Sequence, residues 1–474
     1  MATTPYFIAS PNAILSLVGL LHGPDRTTPS PSTEWRDAKV AVVIPALNEE
    51  KNIVHCLASL AEQTFVPDSI TLIDDGSKDS TIEYAREFCA ANHIDINIIK
   101  RSKSIGKTPT LKRQARELDA DVEFILDGDT ILESKNYIER TVRELYKGVG
   151  IASACGTILP LREKDRECVL NSPKVKKFLE KLPNAAINTK KHWFFRLMKF
   201  VTNLYREALY MFLQQFVYRG QMVFFGSITN PVGCAVAYRR KYVKDLFDKY
   251  EPRFGDDLTN SEDIFIGFAL VNQGYRNVQL QDVTARSSEP HAYRLPRQIY
   301  LWSSSFLQSC YYFNDLLKSP FKSFKRYRQQ RLIAKKERRE EEKERRKIRE
   351  PYRQGFGDQH TEKLGRPMGW VIFMAAFEKI AFPTVILIMI VLQLWEPLII
   401  TIIAESAISV GILLIISRRK DVVRSYRSWR RGLEYFIKGV FLIPIRYMSL
   451  LYDLVTISVF ASHVWVLNER RWRK

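Results

Sequence analysis

The sequence predicts an α/β domain with a mostly parallel sheet, followed by an α-helical membrane region, and three observations carry that expectation. Between Lys39 and Leu126, short β-branched runs alternate with single amphipathic segments, the pattern of strands joined by helical crossovers. One of these runs, Val122 to Leu126, stops at Asp127-Gly128-Asp129, which sets two carboxylates one residue apart at a strand's C-terminal end. From Met368 to Leu467, long apolar runs separated by basic loops replace the alternation, as membrane helices do.

Taken in order, Tyr6 to Leu21 is apolar but short and contains Pro11, so it reads as a marginal span or an interfacial segment. The N-terminus lacks the basic region of a signal peptide. Gly23 to Glu34, rich in Pro, Ser and Thr, reads as a linker. Lys39 to Ile44 is a buried strand ended by Pro45, and Asn48 can cap the helix that carries Ile53, Leu57, Leu60 and Ala61. Ser69 to Ile73 is the second strand and runs into Asp74-Asp75-Gly76-Ser77; a helix over 81–91 follows. Asp95 to Ile99 is the third strand, and Gly106-Lys107-Thr108-Pro109 opens another helix with Thr108 as N-cap. The fourth strand ends at Asp127. Right-handed crossovers bring all these strand ends to one crevice, where Pro45, Asn48, Asp74, Asp75, Lys107, Asp127 and Asp129 meet.

Composition narrows the partners. The 474 residues carry a net charge of +20, from 72 Lys and Arg against 52 Asp and Glu. Such an excess suits a membrane surface, a nucleic acid or a phosphorylated substrate. Phe321 to Glu350 holds 14 basic and 6 acidic residues at spacings suited to a solvated helix. This segment can bind anionic lipid, associate with itself or recruit a partner subunit. Nucleic acid fits less well, because aromatics are nearly absent after Tyr327. The six cysteines, at 56, 89, 155, 168, 234 and 310, form no CxxC pair or metal-ligand spacing, so reduced thiols are expected. GxGxxG and P-loop signatures are also missing. A lysine at a helix start for phosphate and an acid pair for a hard cation therefore point to a nucleotide-diphosphate site.

At this point the residues resemble a known family. Val43-Ile44-Pro45-Ala46-Leu47-Asn48-Glu49-Glu50, then Asp74 to Thr81, Gly106-Lys107 and Asp127-Gly128-Asp129-Thr130 look, in this order, like the GT-A domain of family 2 glycosyltransferases. Asn230 to Arg240 resembles the small-residue segment beside the family's acceptor site. Ser261-Glu262-Asp263 is similar to its Thr-Glu-Asp. Gln298-Ile299-Tyr300-Leu301-Trp302 resembles the Gln-x-x-Arg-Trp of membrane-embedded synthases of hyaluronan, chitin, cellulose and alginate type. The resemblance spans roughly Val40 to Trp302.

What the resemblance implies is a GT-A, Rossmann-like catalytic domain. Asp263, with Glu262, would be the catalytic pair; Asp127 and Asp129 would hold Mg²⁺ or Mn²⁺. Pro45, Asn48, Glu49, Asp74, Asp75, Lys107 and Asp127 would contact the nucleotide. Gly233, Cys234, Gln298, Trp302 and Arg297 would border the acceptor. Leu301 stands where those synthases carry arginine, so that positive contact is missing or comes from another residue such as Arg297 or Arg294. His291 is expected to be structural. The implied domains are an N-terminal segment and linker (1–35), the catalytic domain (36–295), an interfacial helix (296–318), a charged helical insert (319–365) and a transmembrane region (366–474).

The implied activity is inverting transfer from a cytosolic nucleotide sugar that elongates, and passes through its own helices, a membrane-associated polysaccharide. The protein would be integral to the cell membrane with its catalytic domain in the cytosol. A transferase adding one sugar to a lipid-linked acceptor and a non-catalytic membrane scaffold are the alternatives. In the C-terminal region, the residues predict one span over 368–395, a second over 397–417, and an interfacial piece then a membrane helix over 433–467. Lys438, Pro444, Arg446 and Asp453 supply the interruptions. Arg418 to Gly432, with seven basic residues and one acid, is expected on the cytosolic side, and Glu469 to Lys474 forms a basic tail.

Overall fold

The chain is described here by a computed structural model covering residues 11–22, 33–148, 150–185, 187, 193–248, 250, 261–340, 355–418 and 429–466. Of the segments read from the sequence, residues 1–10 of the apolar N-terminal stretch, 23–32 of the linker, 341–350 of the charged insert, 419–428 of the basic loop and the tail 469–474 lie outside the described residues.

Eight strands form one mixed sheet: β1 (Val40–Ala46), β2 (Ser69–Asp74), β3 (Asn97–Lys100), β4 (Val122–Leu126), β5 (Thr130–Leu132), β6 (Ile151–Pro160), β7 (Ala235–Arg239) and β8 (Arg276–Ser287). Their order is β3-β2-β1-β4-β7-β6-β8-β5. β1 pairs in parallel with β2 and β4, and β2 with β3, as the alternation of strands and helices requires. The parallel character ends at β7, which runs antiparallel between β4 and β6. That reversal has a consequence for the site. With Leu126 opposite Ala235, the segment ending in Gly233-Cys234 is delivered beside Asp127.

Both faces of β1 are covered, which is why it reads as a continuous apolar run. Val42, Ile44, Phe124 and Leu126 enter one core, whereas Val43, Ile73 and Ile125 enter the other. The helices over the sheet are α1 (Pro11–Leu21), α2 (Ile53–Leu60), α3 (Thr81–Ala91), α4 (Lys107–Glu117), α5 (Tyr137–Leu145), α6 (Glu163–Leu170), α7 (Pro173–Lys181), α8 (Trp193–Phe212), α9 (Arg219–Phe225), α10 (Arg240–Val243) and α11 (Glu262–Gln273). α1 packs on α9 so closely that a Cβ on Gly19 would lie 2.5 Å from the Gly220 Cα. Two expected caps differ. Asn48 adopts φ +57° in a turn ahead of α2 and leaves the N-cap to Asn52, and α4 begins at Lys107 with Gly106 as N-cap.

Beyond the sheet lie α12 (Leu295–Tyr312), α13 (Asn314–Leu317), α14 (Ser323–Glu340), α15 (Asp358–Leu364), α16 (Gly369–Val391), α17 (Trp395–Arg418) and α18 (Trp429–Ala461). The 296–318 stretch was expected on a membrane surface; Ser303 to Cys310 is instead buried on every side. Three serines help make that possible, being small and satisfied: Ser304 and Ser305 donate to the Leu301 carbonyl, and Ser303 donates to Asp453 of α18 at 2.5 Å.

α16, α17 and α18 are each long and apolar enough to cross a membrane. α18 is one 33-residue helix running through Pro444, not an interfacial piece followed by a span. The residues read as interruptions are accommodated because each charge finds a partner. Lys438 pairs with Glu207 at 3.0 Å and Glu434 at 2.6 Å, Arg446 with Glu405, and Asp453 with Lys379 at 2.6 Å. At 1.5 Å per residue the helix is about 50 Å long, well beyond a hydrocarbon core of about 30 Å, so part of it stands outside the apolar layer.

Two measurements follow. Lys379 and Asp453 are 2% and 0% exposed, so Asp453→Leu strands a buried ammonium and is expected to cost about 3–5 kcal/mol. Lys379→Met with Asp453→Leu should recover most of that loss in detergent melting experiments. Glu123, buried in β4 with Oε1 unpartnered, is the second case. Burial pushes its carboxyl up to about 8 from 4.5, with Arg240 pulling the other way. Between these values the folded chain holds a proton that the unfolded chain has released. Stability therefore falls with rising pH by about 1.4 kcal/mol per unit on account of this group. Glu123→Gln should raise the melting temperature at about pH 8 and change it little at about pH 5.

Candidate active site

A single ammonium joins the segments that the sheet delivers to its C-terminal edge. Lys107, the first residue of α4, places Nζ 2.7 and 2.9 Å from the two Asp127 oxygens, 2.8 Å from Glu262 and 3.3 Å from the Gly233 carbonyl. Burial works against this charge, yet Asp127 and Glu262 outweigh it and hold the ammonium well above its ordinary range. Asp127 is fixed further by its N–H, which donates to the Cys234 carbonyl at 2.9 Å. Burial pushes its carboxyl up to about 6, Lys107 opposes that rise, and Asp129 adds to it.

Asp263 stands in the first turn of α11, one residue beyond the acid that holds Lys107. Its Oδ1 accepts from the Ser261 hydroxyl at 2.5 Å and the Ile264 N–H at 2.8 Å, and Oδ2 from the Gly233 N–H at 3.2 Å. The serine that replaces the family's threonine thus keeps a hydroxyl on the carboxylate. A Cβ on Gly233 would sit 2.8 Å from the Asp263 Cβ, so only glycine allows this approach. Burial, then the neighbouring Glu262 charge, raises the Asp263 carboxyl, with Ser261 and Lys107 moderating the shift. A basic carboxylate held in this way is suited to accept a proton.

Asp129 is held by a different pair of residues. Its Oδ1 is 3.3 Å from the Ser287 and Thr130 hydroxyls. Burial, then Glu289, raises it. Glu49 lies nearby: burial, then Asp129 and Asp127, push it up to about 8, although Asn52 donates to it at 2.5 Å. These mutually repelling carboxylates are hard oxygen donors. Among the described residues no three His, Cys, Asp or Glu side chains form a complete ligand set. A Mg²⁺-type ion fits that arrangement, since it takes one or two carboxylates and draws its other ligands from phosphate and water.

On the expected nucleotide side, Asn48 and the β2 loop hold each other: the Asn48 N–H donates to Ser77 at 2.8 Å and its Oδ1 accepts from Lys78 N–H at 2.9 Å. Pro45 accepts the Gly128 N–H at 3.3 Å. Asp74 accepts from Ser77 N–H. Asp75 receives Arg101 at 3.0 Å, Ser104 at 2.6 Å and the N–H groups of Ile105 and Gly106 at 3.0 and 2.8 Å. Burial raises Asp75, but these donors outweigh it and hold the carboxyl below its usual range. The acid expected to touch a base is thus also the anchor of the loop leading into Lys107.

Of the residues expected at the acceptor, Gln298 and Trp302 gather around an arginine that the sequence did not single out, whereas Gly233 and Cys234 stand beside Lys107 and Asp127. Arg206 of α8 is wholly buried, lies 4.4 Å over the Trp302 ring and donates to Gln298. Its Nε is 3.5 Å from Glu289, which also bonds Tyr210. Arg206 therefore brings to Trp302 the guanidinium that Leu301 lacks. Arg297 and Arg294, the expected substitutes, are exposed. Arg166 and Lys199 were missed as well. Both reach Ser288, at 3.3 and 3.1 Å, and the Ser288 N–H donates to the Asp129 carbonyl at 3.2 Å. None of these residues lies in a recognisable motif; the amphipathic pattern of 193–212 was the one available signal.

Arg206→Met leaves Glu289 buried beside no guanidinium, so a loss of about 3–5 kcal/mol is expected in thermal melts. Adding Glu289→Gln should restore much of it, and strict additivity of the two losses would argue against the pairing.

Residues 41–247 match the family described as Glycosyl transferase family 2. Over 125 residues the chain is 33% identical to the O-antigen chain rhamnosyltransferase RfbN of Salmonella typhimurium, a match covering 26% of this chain and 38% of that protein. With the dolichol-phosphate mannosyltransferase of Pyrococcus furiosus it shares 27% identity over 115 residues, 24% of this chain and 32% of the other. The matched segment thus spans well under half the length of these relatives. Among solved structures, the mannosyltransferase PcManGT from Pyrobaculum calidifontis, in complex with GDP-Man and Mn²⁺, superposes with a TM-score of 0.48 at 13% identity, over 96% of this chain and 94% of that one. The likeness to glycosyl transferase family 2 thus lies in residues 41–247 of this chain.

Proposed function

We propose that the chain is an inverting glycosyltransferase that moves a sugar from a nucleotide sugar onto a saccharide acceptor held at the membrane. The observation that carries this reading is the placement of Asp263 against Gly233, on the same Lys107-centred network as Asp127. Asp263 takes the proton of the acceptor hydroxyl. The freed oxygen forms a bond to the anomeric carbon as the bond to the diphosphate breaks, and the electron pair departs with the nucleoside diphosphate. Single displacement inverts the anomeric centre. Asp129, with Asp127, would hold Mg²⁺ or Mn²⁺, whose charge neutralises the leaving diphosphate. Lys107 keeps Asp127 ionised in a buried place, and Glu262 fixes Lys107. Trp302, backed by Arg206, offers a ring face on which an acceptor sugar can stack. Nucleotide sugars supplied from the cytosol put the catalytic domain on that side of the membrane, beside α16, α17 and α18.

Elongation of a polymer remains within this reading, but its passage through the chain does not. The charges between the spans are matched to each other in the Lys379–Asp453 and Arg446–Glu405 pairs, which suits a packed bundle better than a sugar-lined path.

With purified protein, Mg²⁺ or Mn²⁺ and a panel of UDP- and GDP-sugars, at least one donor is expected to release nucleoside diphosphate. Silence across the panel overturns the proposal. Asp263→Asn should lower transfer by about 10²–10⁴-fold with nucleotide binding retained. Gly233→Ala, which displaces Asp263, should lower turnover by about 10²-fold. Product size separates one added sugar from a growing chain.

A further inference from the structure

Outside the acid crevice, a cavity of about 760 Å³ lies between α6, α8 and α18. Its charged lining is Arg162, Lys164, Arg196, Lys199 and Lys438, with Glu163, Glu207 and Glu434. Lys438 is matched by Glu207 and Glu434, and Arg162 by Asp165. Lys164, Arg196 and Lys199 stand there beside Glu163, so basic side chains outnumber acidic ones in the lining. Leu197, Phe200, Leu204 and Ile437 form the other wall, and α8 continues it outward with Trp193, Leu197 and Phe200 at 66%, 45% and 62% exposure. An apolar face this large, joined to a helix that is a candidate membrane span, is where an acyl or prenyl chain would rest.

We propose that this cavity binds the phosphate of the lipid that carries the acceptor saccharide, with the lipid chain along α8 and α18. The proposal rests on the transferase reading and deepens it by naming the acceptor class. Two features beyond charge support it. Lys199 joins the cavity to the reaction site through Ser288, whose N–H donates to the Asp129 carbonyl. Lys199 and Arg206 also stand seven residues apart on α8, about 10 Å along its axis. A phosphate near Lys199 leaves room for one or two sugar rings before Trp302, which Arg206 backs. The occupant must be anionic at one end and apolar at the other; a free anion uses only the cations, and a neutral lipid only the apolar wall.

The test uses the full chain in detergent micelles and reads ligand retention by native mass spectrometry. The probes are a long-chain polyprenyl monophosphate, the matching polyprenol and inorganic phosphate. Wild type should retain the polyprenyl phosphate at least about tenfold better than the polyprenol, and inorganic phosphate should fail to displace it at equal concentration. Lys164→Glu with Arg196→Glu, two exposed side chains, should lower retention by about tenfold or more. Phe200→Asp should weaken the polyprenyl phosphate without changing inorganic phosphate, and it stands in if the double variant does not fold. Equal retention of phosphate and alcohol, displacement by inorganic phosphate, or variants that bind like wild type would overturn the proposal. Nucleoside diphosphate release by wild type across the donor panel, with and without a lipid-linked saccharide, is scored separately. If release is absent in both while lipid phosphate binds, the transferase reading fails and the cavity stands as a lipid-phosphate site without an acceptor role.

Discussion

The Lys107 ammonium is the constraint on which the active crevice depends. It is largely buried, and its contacts come from three places far apart in sequence: the end of β4, the turn before β7 and the start of α11. Those contacts, Asp127, the Gly233 carbonyl and Glu262, account for the three donors of the ammonium. Remove the charge and Asp127 and Glu262 become two buried carboxylates facing each other. The sheet topology exists, in effect, to meet this requirement: β7 runs antiparallel beside β4, and the register that pairs Leu126 with Ala235 sets Gly233 where Lys107 and Asp263 can both reach it.

That arrangement assigns work to residues that touch no reacting atom. Glu262 fixes Lys107, Ser261 fixes Asp263, and Asp75 fastens the loop that opens α4. A lysine held by protein carboxylates does not need to bind phosphate to matter, because it opposes the rise that burial gives the Asp127 carboxyl. Around Lys107 the crevice is acidic, and under the proposed function a divalent ion and an anionic donor would be taken up there together.

β1 and β4 were legible because they are buried along almost their whole length and end at a proline or an acid; β4 falls where its apolar run lies, and α3 likewise. Asp127, Asp129, Lys107 and Asp263 could be read because each sits at an element boundary within a short ordered motif. What could not be read shares one physical cause: dependence on contacts remote in sequence. Arg206 is indistinguishable from a solvated helix arginine until Gln298 and Trp302 pack on it. Lys438, Arg446 and Asp453 look like breaks in a span until Glu207, Glu405 and Lys379 neutralise them. Ser303 to Ser309 looks amphipathic alone and becomes wholly internal once α18 supplies Asp453. Asn48 carries a good capping side chain, yet the turn needs its left-handed backbone, and the side chain bonds the β2 loop instead.

Under the proposed function, the same long-range pairing would let a chain of +20 net charge keep two anionic ligands apart. In the crevice the protein's own groups are mostly carboxylates, so a diphosphate is welcome there only together with a cation that it brings along. In the cavity between α6, α8 and α18 basic side chains outnumber acidic ones and adjoin apolar surface, so the proposed lipid phosphate would be met by side chains directly and its hydrocarbon tail would complete the fit. α8 spans both environments, with Lys199 at one and Arg206 at the other. A donor diphosphate lacks the tail for the cavity. A lipid phosphate without a bound metal is repelled from the acids. On that proposal, the direction in which the acceptor would lie across the site follows from where carboxylates and ammonium groups are buried, before any sugar is recognised.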